Sequence, residues 1–75
     1  MKRHKKLLTE KQQYVYNFMK SFFLQNDQLP PIATIADHFG WASDNAAQEM
    51  IRCIEKAGWI ERNAVNKWRF VRDEL

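Results

Sequence analysis

Between Ser43 and Arg52 the chain sets out a hydroxyl (Ser43), two carboxamides (Asn45, Gln48), a carboxylate (Glu49) and a guanidinium (Arg52). A carboxamide donates and accepts, a carboxylate only accepts, and a guanidinium is a planar fork of donors, so the set suits paired hydrogen bonding to flat, patterned surfaces. Asn and Gln match the major-groove edge of adenine, Arg that of guanine, and Glu accepts from the amine of cytosine; Ala46 offers its methyl to thymine. Catalytic chemistry is poorly supplied. Ser21, Ser43, His4, His38 and Cys53 form no nucleophile–base motif, and there is no glycine-rich phosphate loop. A single cysteine makes no internal disulfide, and two distant histidines lack the spacing of zinc ligands. The expectation is a non-enzyme without metal or cofactor and with no small-molecule ligand implied.

The elements that must position these groups follow from local pattern. Thr9 with Gln12 three residues on predicts a capping box and a first helix from about Glu10, with Tyr14, Val15, Phe18, Met19 and Phe22 on its inner face. "NDQLPP" ends it, because Asn26 and Asp27 form turns and the prolines impose extended chain. "IATIADHFG" reads as a second helix with Ile32, Ile35, Ala36 and Phe39 inward and Gly40 closing it in the left-handed region. Ser43 then caps a third helix, Asp44 sits in its dipole-favoured first turn, and Ala47, Met50, Ile51 and Ile54 face inward until Gly58 stops it. At 100° per residue, Asn45, Glu49, Arg52 and Lys56 fall opposite that core, with Gln48 on the shoulder. Any solvated helix shows such a stripe. Here it belongs to the second helix of a tight turn pair, followed by "WIERNAVNKWRFV", which reads as a β-hairpin around "NAVN". The fold class expected is mainly α with a small β-hairpin: a winged helix-turn-helix of three helices plus wing.

Composition agrees. The 75 residues support one small domain, and a hydrophobic content of 45% with 13% aromatic excludes general disorder. No apolar run reaches the length of about 18 residues that spans a membrane, and "MKRHKK" is followed by no signal-type apolar block, so a cytoplasmic setting is expected. The net charge of +3 is uneven: Lys2, Arg3, Lys5 and Lys6 crowd the start, leaving eight basic against nine acidic side chains in residues 7–75. Residues 1–7 therefore read as a basic flexible arm, 8–72 as the winged helix-turn-helix domain and 73–75 as a frayed tail, whose "RDEL" echo of a retention signal is read as coincidence.

The segments "LTEKQQYV", "LPP" and "IADHFGWASDNAAQEMIRCIEKAGWIE" with the basic hairpin resemble, in order, the N-terminal DNA-binding domain of the LexA repressor family. The likeness runs from Leu8 to Val71. It is sharpest at Leu8, Thr9, Gln12, Gln13 and Val15, at Ser43, Asn45, Ala46, Ala47 and Glu49, and at Gly58 and Ile60. It implies a third helix that enters the major groove and reads an operator half-site through the positions of Ser43, Asn45, Ala46, Gln48 and Glu49. Two departures stand out: Gln48 replaces the first of the family's Glu-Glu pair, and Asp44 replaces its proline. An acceptor-only Glu changed to Gln alters which base edge is satisfied, so the family's operator should not carry over. LexA proteins also bear a self-cleaving, dimerising domain, and the sequence ends where it would begin, so a stand-alone binding domain without protease activity is expected.

The function expected is sequence-specific binding of double-stranded DNA by a bacterial or phage repressor or regulator that acts by operator occupancy. Ser43, Asn45, Ala46, Gln48, Glu49 and Arg52 are assigned to the bases, and Lys2, Arg3, Lys5, Lys6, Arg62, Lys67 and Arg69 to phosphates and the wing. A homodimer or partner protein is implied by the few contacts one such domain offers, with Tyr16 and Phe23 as candidate surface. His38 reads as solvated or phosphate-facing, Cys53 as a semi-buried inert thiol, and Trp41 and Trp59 as packing plugs. The rival reading, supported by the near-neutral body, is a winged-helix protein-interaction module, an antirepressor or adaptor.

Overall fold

A computed structural model describes residues 6–71. In chain order they form α1 (Glu10–Asn26), α2 (Ile32–Phe39), α3 (Asp44–Lys56), β1 (Ile60–Arg62) and β2 (Trp68–Phe70). Residues 1–5 of the expected arm, with Lys2, Arg3 and Lys5, and residues 72–75, with the expected tail, lie outside the described residues.

Helix α1 begins, and all three helices end, for a local reason. The Thr9 hydroxyl accepts from the Gln12 amide at 3.2 Å while Gln12 Oε1 accepts from the Thr9 amide at 3.0 Å, completing the capping box. Asp27 turns α1 off in the left-handed region at φ 60°, a conformation that short polar side chains tolerate. Helices α2 and α3 end alike. Gly40 (φ 71°) donates to Asp37 O while Trp41 donates to Ala36 O, and Gly58 (φ 92°) donates to Glu55 O while Trp59 donates to Ile54 O. Both are Schellman endings, each followed by a tryptophan that folds back onto the core.

Val15, Met19, Ile35, Ile51, Ile54 and Ile60 fill the centre, with Ala36 and Ala47 where helices approach. The four residues from Gly40 to Ser43 join α2 to α3, and the pair packs closely, as in a helix-turn-helix. In the hairpin, Ile60 pairs with Phe70, Glu61 with Arg69 and Arg62 with Trp68. Its loop is held by Asn63, whose Oδ1 accepts from the amides of Val65 (3.0 Å) and Lys67 (2.9 Å), and by Asn66 in the left-handed region. At the other end, the Lys6 amide donates to Ala57 O at 2.8 Å and Trp59 Nε1 donates to Lys6 O at 2.7 Å.

The inner face of α1 needs correction. Tyr14 is 56% exposed, its hydroxyl donating to Glu10, whereas Tyr16 is buried at 8%. The cause is tertiary: Trp59 and Phe70 meet the Tyr16 ring edge-on at 5.4 and 5.6 Å, so the hairpin root draws the buried stripe round by two positions. Tyr16 is thus covered from within the domain, while Phe23 packs on Phe70 and stays 38% exposed.

Candidate nucleic-acid interface

Helix α3 presents two faces. Ala47, Ile51 and Ile54 are buried and Met50 half-buried, and around the rest of the cylinder Ser43, Asn45, Ala46, Gln48, Glu49 and Arg52 are all exposed. Ser43 holds the N-cap position with extended backbone, but its hydroxyl makes no capping bond to the first turn, contrary to the expectation of a side-chain cap. Glu49 and Arg52 pair one turn apart at 3.3 Å, with side chains 70% and 60% exposed. Such a pair holds weakly in water, so both groups can be recruited by a ligand.

Gln48 and Arg52 lie on the side of α3 nearer the hairpin, where they line a cleft with Ile32, Ile51, Arg62 and Trp68. The strand register explains how Arg62 arrives there. Residues two apart share a face, so Arg62 and Trp68 continue the face that carries Ile60 and Phe70, just past the end of the core. The Arg62 guanidinium sits 4.2 Å from the centre of the Trp68 ring and donates to Asn66 Oδ1 at 3.0 Å. Arg69 lies on the opposite face and is engaged by Glu61, with its Nε at 2.8 Å and Nη2 at 2.7 Å from the same carboxylate oxygen. Lys67 is exposed at the base of the loop. The sequence alone did not separate Arg62 from Arg69; only the register does.

His38 is exposed, in keeping with a solvated side chain, and its ring stacks on Phe18 with centroids 3.9 Å apart; Trp41 stacks on Phe39, and both tryptophans are half-buried, as plugs should be. Cys53 is exposed, not semi-buried: its turn position falls beside Ala46 and Glu49, away from the core side of α3. Among the described residues no group of three or more His, Cys, Asp or Glu side chains could hold a metal ion, and no helix is long and apolar enough to cross a membrane.

A close helix pair with a polar outer helix and a two-stranded hairpin behind it defines a winged helix-turn-helix protein. Comparison with known proteins narrows the class. The family profile of the LexA DNA binding domain matches residues 5–67, and the chain belongs to that family. It is 38% identical over 60 residues to a LexA repressor of Petrotoga mobilis, covering 80% of this chain and 29% of that protein. It is 44% identical over 61 residues to one of Thermosipho melanesiensis (81% and 30%), and 39% over 54 residues to one of Colwellia psychrerythraea (72% and 26%). The chain therefore spans about three-tenths of the length of these curated relatives.

Proposed function

We propose that the chain is a sequence-specific binder of double-stranded DNA that represses transcription by occupying an operator. In this reading α3 lies in the major groove, with Ser43, Asn45, Ala46, Gln48 and Glu49 against base edges and the hairpin along the backbone as a wing. The observation that carries it is the exposed array Asn45, Gln48, Glu49 and Arg52 on the second helix of the turn pair, in a chain of the LexA DNA-binding domain family. Lys67 and the basic residues 2, 3, 5 and 6 supply phosphate contacts. Arg69, already balanced by Glu61, contributes less than Arg62. One recognition helix makes few contacts, so two copies on a palindrome are the working unit.

Selection from random duplexes followed by salt titration of the best site tests this reading. An enriched motif is expected, with log K falling linearly as log salt rises. A protein that enriches nothing and binds duplexes only at low salt would contradict it, and capture of a single protein partner instead would favour the interaction-module alternative.

A further inference from the structure

We propose that Arg52 and Arg62 grip one and the same phosphate of the duplex backbone, joining recognition helix and wing into a single clamp. This rests on the DNA-binding reading above and adds a ligand subsite to it. The two arginines come from α3 and β1, 10 positions apart, yet both line one cleft of about 200 Å³ with Gln48, Ile32, Ile51 and Trp68. That space admits a phosphate group with several waters, each of which takes about 30 Å³. Among the described residues the lining holds two cations and no carboxylate, so like charges border a common space that an anion would bridge. The first turn of α2, which begins at Ile32, adds the partial positive charge of a helix N-terminus.

The neighbours of each arginine suit this role. Arg62 lies over the Trp68 ring and donates one N–H group to Asn66, so two contacts restrain it while the rest of its donor fork is unspent on that partner. Among the described residues Arg52 is held by the exposed Glu49 carboxylate alone, a partner that phosphate can replace. The exchange has a consequence on the base side. When Arg52 turns to the phosphate, Glu49 is released to accept a hydrogen bond from a base, so backbone grip and base reading at Glu49 occur together.

Salt titrations of duplex binding by the wild type, Arg52→Gln, Arg62→Gln and the double variant test the clamp, with circular dichroism confirming that each variant is folded. A shared phosphate predicts that either single substitution weakens binding but leaves the slope of log K against log salt nearly unchanged, because the remaining arginine still neutralises that phosphate, and that the double substitution lowers the slope by about 1. Methylphosphonate scanning of the duplex should then find one linkage whose neutralisation weakens the wild type and leaves the double variant unaffected. A fall of about 2 in the double variant, or two linkages that each track one arginine, would overturn the shared grip while DNA binding stands. Absence of wild-type duplex binding would instead overturn the reading beneath it. Inorganic phosphate titrated into the protein alone, followed by the arginine NMR signals, is the arm for a free anion. Saturation below about 1 mM there, with no duplex linkage tracking either arginine, would assign the cleft to small anions and not to the duplex.

Discussion

Gln48 decides more than its single position suggests, because it carries a donor and an acceptor on the side of α3 that faces the wing cleft. Gln48→Glu removes the donor, and selection should then show preference at that base pair moving from adenine toward cytosine, with a penalty of about 1–3 kcal/mol on the original site. Lys67→Ala acts differently: affinity should fall about equally on all sequences, and the salt slope by about 1. The candidate reading face was legible residue by residue, because helical period alone separates Asn45, Glu49 and Arg52 from Ala47, Ile51 and Ile54. Three things were not. Tyr16 is buried by aromatic rings more than forty positions away, Arg62 is distinguished from Arg69 by strand register, and the Ser43 hydroxyl leaves its cap unmade. The first depends on rings that no local window contains and the second on the pairing of two strands; nothing in the structure explains the third.

At the level of elements, the start of α1 and the ends of all three helices are set by short-range hydrogen bonds, which is why the sequence announces them. Thr9→Ala removes one half of the capping box and should cost about 0.5–2 kcal/mol of stability in urea unfolding, with DNA affinity at saturating stability unchanged. Gly40 is the sharper case. A Cβ there meets nothing within 4 Å, so the whole cost of Gly40→Ala is backbone strain at φ 71°, about 1–2 kcal/mol. Because Gly40 also opens the four-residue turn that fixes α3 against α2, DNA binding should weaken beyond what the lost stability explains. The hairpin was legible as two aromatic strands around an asparagine-rich loop, but its register was not, since "NAVN" does not dictate which residues oppose.

For the whole molecule, 75 residues imply a total stability of about 4–11 kcal/mol, so the core has little to spare. Ile54→Ala, at a site with no exposure, should remove about 2–5 kcal/mol, enough to bring the unfolding midpoint close to working temperature. What links this small core to function is orientation: burial of Ala47, Ile51 and Ile54 fixes which side of α3 is left outward, and the hairpin packed through Ile60 places Arg62 beside it. In the function proposed above, the outward side of α3 reads bases. Parallel selections on random duplexes with the wild type and Asn45→Ala measure it most directly. A motif that loses its preference at one base pair while keeping the others, with affinity for the original site reduced by about 1–3 kcal/mol, is the predicted result. The same motif bound with the same affinity by both proteins would contradict it.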